Sequence, residues 1–180
     1  MRAFPTSLHT ARLSLRLPDE QGARLEHEMI LESLDHLWPW FSFRAGPPTL
    51  AKRVELAARQ RAQATEGTSA TYIVFAGDRA VGKVWLEVDG RKATMGWWLR
   101  AGETGHGYAT EAVRALSELA FDFGVERVEA HTDPDNTPSR ALAERAGFVL
   151  QEIRQDVDDR PDGVRRPACV YAMLSGRNAP

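Results

Sequence analysis

The segment Gly102-Glu103-Thr104-Gly105-His106-Gly107-Tyr108-Ala109-Thr110 carries the residue types that a bound anion requires. It lies between a strand-like run, Met95 to Leu99, and a stretch with apolar residues at Ala109, Ala112, Val113, Leu116, Leu119, Ala120 and Phe123. Those three- and four-residue steps are helical spacing. Glycines at a strand-to-helix turn let backbone N–H groups converge, and the helix start adds partial positive charge at the same point. Such a turn suits a phosphate or pyrophosphate. Glycines also serve simply to make a turn, and that reading stays open here. Two better-known phosphate loops are excluded. A P-loop ends in Gly-Lys-Ser/Thr, whereas Gly107 is followed by Tyr108 and Ala109. The dinucleotide fingerprint needs a third glycine where Thr110 stands, and the following strand offers only Glu126 and Glu129 inside it as acidic residues.

A second constellation follows the strand-like run Val125 to Thr132, as Asp133-Pro134-Asp135-Asn136-Thr137-Pro138-Ser139. A short helix with Leu142 and Ala146 inward comes next and closes at Gly147-Phe148, with Gly147 eight residues after Ser139. Asn136 or Thr137 can cap that helix, Pro138 suits its first turn, and Gly147 suits a left-handed end. Capping alone would explain these residues. The joint pattern, a Gly-x-Gly opening one helix and Asn-x-x-Ser opening the next, is more specific than either half.

The elements that must position these loops read as follows. A strand is expected from Arg12 to Leu17, then a helix with Leu25, Met29, Ile30, Leu34 and Leu37 on one side. A turn-rich stretch from Phe41 to Pro48 leads to a helix capped by Thr49, and Ala64 to Ser69 reads as a polar loop. Strands at Thr71 to Ala76, Ala80 to Val88 and Ala93 to Leu99 are joined by Gly77-Asp78 and Asp89-Gly90 turns. After the two loop-opened helices come terminal strands near Val149 to Gln155 and Pro167 to Leu174, separated by a charged segment. The whole, residues 1–180, is expected to form one domain, since 180 residues suffice for one sizeable core.

Composition narrows the function classes. A net charge of −2 with both signs interspersed gives no bulk electrostatic case for nucleic acid or an anionic membrane. No apolar run approaches the roughly 20 residues that span a bilayer. The N-terminal Met1-Arg2-Ala3-Phe4-Pro5 has no apolar signal core, so a cytoplasmic location is expected. The single cysteine, Cys169, excludes an internal disulfide and a cysteine-rich metal site, and reads as a small core side chain.

At the residues just described the chain resembles the GNAT superfamily of acyl-CoA N-acyltransferases, and within it the RimJ/RimL type of protein N-acetyltransferase. Thr10-Ala11-Arg12-Leu13-Ser14-Leu15-Arg16 is similar to the family's opening strand, and Leu37-Trp38-Pro39-Trp40 with Pro48-Thr49 to its "W-P-W" loop and second helix. Gly96-Trp97-Trp98-Leu99 stands for "G-Y-W-L", Gly105-His106-Gly107-Tyr108-Ala109-Thr110-Glu111-Ala112 for "G-x-G-Y-A-T-E-A", and Asn136-Thr137-Pro138-Ser139 for "N-x-x-S". The resemblance implies an α/β (α+β) fold with a mixed, mostly antiparallel central sheet, helices on both faces and two splayed parallel strands. It also implies acetyl-CoA as co-substrate, no metal, and an amine acceptor, either a protein N-terminus or a small amine. Many relatives pair, so a homodimer is a further expectation.

Carried over residue by residue, backbone groups of Trp98, Leu99 and Arg100 would meet the pantetheine arm of acetyl-CoA. The N–H groups of Gly105, His106, Gly107, Tyr108 and Ala109, with Thr110 beside them, would hold the pyrophosphate. Asn136 would hydrogen-bond the pantetheine, and Ser139 would stand near the thioester sulfur as proton or hydrogen-bond donor to the departing thiolate. The base is where the chain departs from the family, because Thr94 stands where relatives often carry glutamate. His131, then Asp158 in the terminal loop, then Glu87 are the candidates. Trp38, Trp40 and Phe41, with Phe43, would cover the sheet edge or line the acceptor mouth. A non-catalytic acyl-CoA-binding module is the alternative that the missing glutamate keeps open.

Overall fold

A computed structural model describes residues 2–41, 47–157 and 165–176. Its eight strands form one sheet in the order β1-β2-β3-β4-β5-β6-β8-β7. They are β1 Ser7–His9, β2 Leu13–Arg16, β3 Ser69–Ala76, β4 Arg79–Asp89, β5 Lys92–Leu99, β6 Arg127–Thr132, β7 Val149–Val157 and β8 Arg166–Leu174. All neighbours pair antiparallel except β5 and β6, which run parallel. The helices are α1 Glu20–Glu32, the short α2 Leu34–Leu37, α3 Leu50–Glu66, α4 Tyr108–Asp122 and α5 Thr137–Ala146. A parallel pair needs a crossover connection, and α4 supplies it between β5 and β6.

Strand alternation sends side chains to two cores. Tyr72, Val74, Val84, Leu86, Met95, Val128 and Ala130 pack with Ala112, Val113 and Leu116 of α4 and Ala143 of α5. On the opposite face Ile73, Phe75 and Trp98 pack with Met29, Ile30 and Leu37. Strands β3 and β4 are buried nearly end to end because helices cover both of their faces. Cys169 is fully buried in β8 as a small core side chain.

Local chemistry sets the helix ends. Asp19, Thr49 and Asn136 each accept a hydrogen bond from the amide three residues on, at 2.8, 3.4 and 3.1 Å. Gly67 and Gly147 take left-handed conformations after α3 and α5.

Three expectations change. A short strand, β1, precedes the first expected one and pairs with it along its whole length. The first helix stops at Glu32, because Ser33 leaves helical geometry and its hydroxyl accepts from the Ala101 amide at 3.1 Å. The second helix continues through Glu66, where a loop was expected from Ala64; Ala64 is fully buried and its carbonyl accepts the Phe4 amide at 2.8 Å.

One charged cluster is sealed between α1, α3 and β4. The Lys83 ammonium donates to Glu26 Oε1 at 2.7 Å, and Arg53 reaches the same oxygen at 3.3 Å. Glu26 is 1% exposed and Lys83 6%. Burial pulls the Lys83 ammonium below its ordinary pKa, and the Glu26 carboxylate opposes that shift. Removing one member of a buried pair leaves a charge without its counter-ion, a cost of about 3–5 kcal/mol. Glu26→Leu is therefore expected to lower unfolding free energy by about that amount in urea melts, and a loss under about 1 kcal/mol would contradict this reading.

Candidate functional site

Strands β5 and β6 pair only from Lys92↔Arg127 to Met95↔Ala130. Beyond that point β5 stays bound to β4 as far as Leu99, while His131 and Thr132 stay bound to β8. The two parallel neighbours therefore part, and the C-terminal half of β5 has an open edge. A cleft of about 650 Å³ lies there. Its walls come from Trp97, Trp98 and Leu99, from Gly105, Gly107, Ala109 and Thr110, from Asn136, Pro138 and Ser139, and from His131.

The phase of β5 decides which backbone groups face this gap. Arg100 donates its amide to Val81 O at 2.9 Å, and antiparallel partners alternate between bonded and unbonded pairs. With an unbroken register from Lys83↔Trp98 to Asp89↔Lys92, Trp98 turns its amide and carbonyl toward β4, and Trp97 and Leu99 turn theirs toward the gap. Of the expected backbone groups, those of Leu99 face the gap, together with those of Trp97, whereas those of Trp98 and Arg100 face β4. The Arg100 guanidinium pairs with Glu32 of α1, so it is turned to that helix. The indoles split across the sheet: Trp97 meets Phe148 at 6.4 Å between centroids, and Trp98 joins the α1 core.

The glycine turn adopts the geometry its composition demands. Gly105 and Gly107 have φ of 85° and 78°, a region in which other residues are strained. Unlike α1, α3 and α5, helix α4 has no side-chain cap. Its first intrahelical bond runs from the Glu111 amide to Gly107 O, so the amides of Gly107, Tyr108, Ala109 and Thr110 meet no acceptor among the described residues. Gly107, Ala109 and Thr110 line the cleft. The side chains of His106 and Tyr108 lie outside it, stacked on one another at 5.3 Å.

A network that sequence reasoning did not assign holds this turn in place. Glu111 accepts from the Thr10 hydroxyl at 2.5 Å, the Arg12 amide at 2.9 Å and the Arg12 Nε at 2.7 Å. Arg12 also donates to His106 O at 3.0 Å and lies over the Tyr108 ring. Burial alone would raise the Glu111 carboxyl, but the Thr10 hydroxyl and the Arg12 amide and guanidinium together hold it below its ordinary value. The spacing "A-T-E-A" flagged Glu111 without giving its partner, because the partner lies about a hundred residues away.

The catalytic candidates separate. Ser139 lines the cleft, its amide is taken by the Asn136 cap, and its hydroxyl has no hydrogen bond among the described residues. His131 lines the same cleft, with Nε2 3.4 Å from Glu129 Oε2. Hydrogen bonding from Arg127, and from His131 after it, keeps the Glu129 carboxyl below its ordinary pKa despite burial. Glu129 was missed, although its i, i+2 spacing from His131 puts both on one strand face. Thr94 is exposed at the cleft and pairs with Glu87 on one side and Glu129 on the other. Glu87 lies away from the cleft walls. Trp40 and Phe41 do line it; Trp38 does not, and is 43% exposed. Asp158 and Phe43 fall outside the described residues.

Trp85 fixes the cleft's other face. Its ring lies against Gly96 so closely that an added Cβ would stand 2.1 Å from an indole carbon. The motif glycine of β5 is thus required by packing. Sequence reading gave no cause for it, since the contact is set by the β4–β5 register.

Two outcomes follow for the loop network. Arg12→Ala should weaken coenzyme A binding about fivefold, the loss of about 1 kcal/mol expected for a partly exposed ion pair, read by calorimetry. An unchanged dissociation constant would detach Arg12 from the turn. A carboxyl with a depressed pKa stabilises the fold above its ordinary value of 4.5, and that contribution is lost as pH falls through the folded-state value. Melting temperature should therefore fall more steeply below pH 4.5 in the native chain than in Glu111→Gln, and parallel curves would contradict it.

Comparison with known proteins accords with this geometry. The acetyltransferase (GNAT) domain family matches residues 12–149. Over 74 residues the chain is 30% identical to the uncharacterized N-acetyltransferase p20 of Bacillus licheniformis, a match to 41% of this chain and 42% of that protein. The match thus spans about two fifths of the length of this curated relative. Among solved structures it is similar to the microcin C7 self-immunity acetyltransferase MccE in complex with acetyl-CoA and AMP, with TM-score 0.88, 21% identity, and 95% and 97% of the two chains covered. RimJ of Mycobacterium smegmatis in complex with CoA-disulfide gives 0.81 at 24% identity, covering 93% and 84%. RimL, the ribosomal L7/L12 α-N-protein acetyltransferase in complex with coenzyme A, gives 0.84 at 19%, covering 95% and 97%. At these identities the structural likeness is one of fold. With the domain match running through every element that lines the cleft except β8, the chain belongs to the GNAT acetyltransferase family.

Proposed function

We propose that this protein transfers acetyl from acetyl-CoA to a primary amine, either a protein N-terminal α-amino group or a small amine, by direct attack in a ternary complex. The observation that carries the reading is the coincidence, on one cleft, of an open β5 edge and an uncapped helix start. The amides of Gly107 to Thr110 would take the pyrophosphate, with Gly105 and His106 giving theirs from the turn. The gap-facing groups of Trp97 and Leu99 would pair with the pantetheine amides as a missing strand would. Asn136 spends Oδ1 on the Ser139 amide, which leaves its Nδ2 hydrogens for the same arm. No helix of the described residues is long and apolar enough to cross a membrane.

The chemistry then divides among three groups. An ammonium has no lone pair, so the acceptor must lose a proton before it attacks the thioester carbonyl. His131 is the base we assign: when Nε2 donates to Glu129, Nδ1 keeps the lone pair that takes that proton. A gap-facing β5 amide stabilises the oxyanion, and the Ser139 hydroxyl donates to the departing thiolate. Glu129 beside Thr94 supplies the negative charge that relatives carry on β5 itself.

The test is to mix the protein with acetyl-CoA and an amine panel and follow free coenzyme A with a thiol reagent. Amine-dependent release is expected. Tight coenzyme A binding without release across the panel would instead establish the non-catalytic acyl-CoA-binding module. His131→Ala should lower kcat by about a hundredfold, the lower bound for removing a general base, with acetyl-CoA affinity retained. Ser139→Ala removes one hydrogen bond to an anion and should lower kcat by about tenfold. Native kcat in both variants would overturn these roles.

A further inference from the structure

The cleft runs through the sheet, not along one side of it. Alternation and register put Trp85, Thr94, Gly96, Glu129 and His131 on one face. Trp85 pairs with Gly96, Thr94 pairs with Glu129, and His131 follows Glu129 by two residues. A Cβ added to Gly96 would meet the Trp85 ring, so both lie on the same side. This is the face on which Met29, Ile30 and Leu37 of α1 and α2 pack. Helices α4 and α5 pack on the opposite face, through Ala112, Val113, Leu116 and Ala143. The α4 amides, Asn136 and Ser139 therefore stand at one mouth of the opening between β5 and β6. His131 stands at the other.

Rings and small residues make that second mouth. Trp40, Phe41 and Trp85 line it, and each is half-buried, so each keeps surface that an incoming molecule can touch. Phe41 and Trp85 are tilted at 57° to each other with 6.3 Å between centroids. Thr94 and Gly96 lie between these rings and His131 as a floor of small residues. An amine placed at His131 would carry its neighbouring substituent over Gly96 and onto Trp85, the cross-strand partner of Gly96. A charged substituent would exchange water for ring carbon there, whereas an apolar one gains by leaving water.

We propose that Trp40, Phe41 and Trp85 select the acceptor, a primary amine that carries an aromatic or large aliphatic group on the carbon beside its nitrogen. For a protein N-terminus this means a large apolar first residue in place of a small one. The assignment rests on the acetyl-transfer reading for the identity of the reacting amine. The preference itself is a property of binding and is read without turnover.

The experiment uses the full chain saturated with coenzyme A. It is titrated calorimetrically with α-amino amides that share one amine and differ in side chain: phenylalaninamide, leucinamide, alaninamide, serinamide and lysinamide. The first two should bind at least about tenfold tighter than the others, since a single methylene in an apolar pocket already gives about that factor. Trp40→Ala and Phe41→Ala, each shown by a thermal melt to be folded, should shrink the ratio. Equal affinities across the series, tightest binding of lysinamide, or a ratio unchanged in both folded variants would overturn the assignment. If neither variant folds, the native series alone decides. Acetyl-CoA turnover of each amide is followed on the same samples. Turnover without the preference removes the selector and leaves acetyl transfer; preference without turnover does the reverse; neither removes both.

Discussion

Four amide hydrogens at the start of α4 have no acceptor in the described protein, and much of the fold is arranged around that fact. An unmet group of this kind is tolerated where water or a ligand can reach it, so the helix must begin at an opening. The parting of β5 from β6 after Met95 and Ala130 makes that opening. Glycine at the cap, with its positive φ, brings the chain into the helix without a side chain that would cover the amides. Helices α1 and α3, whose caps Asp19 and Thr49 do not line the cleft, begin instead on a side-chain cap.

The supports of the opening come from distant parts of the chain. Thr10 and Arg12, at the β1–β2 turn, hold Glu111 and through it the first turn of α4. Arg114 donates to backbone carbonyls at the end of α5, at 3.4 Å for Ala146, and so joins the two helices that flank the cleft. On the other face Ser33 and Glu32 hold the exit of β5 through Ala101 and Arg100. Each of these bonds is modest by itself. Together they hold one strand edge open, which a sheet would otherwise close by pairing.

What the sequence disclosed was local in its cause. The glycines of the turn, the Asn136 cap and the Gly147 stop follow from backbone conformations that few residue types adopt, so residue type alone locates them. The strands β3 to β6 were legible as apolar runs, the first three of them joined by turn residues. Strand β1 was not, because three residues carry no period. The end of α3 was misread because Ala64 to Glu66 shows little apolar contrast; burial of Ala64 against the N-terminal segment decides the matter. Phase and pairing were the least visible. Whether Trp97 or Trp98 offers its backbone to the gap depends on the β4 register, and the Glu26–Lys83–Arg53 cluster joins three elements that sequence spacing does not relate.

The most direct measurement is a backbone amide spectrum of the labelled protein recorded as coenzyme A is added. The account predicts that the signals of Gly107, Tyr108, Ala109 and Thr110 shift most, that Trp97 and Leu99 shift with them, and that all become protected from hydrogen exchange at saturation. Shifts confined to other residues, with those amides unmoved while coenzyme A is bound, would contradict it.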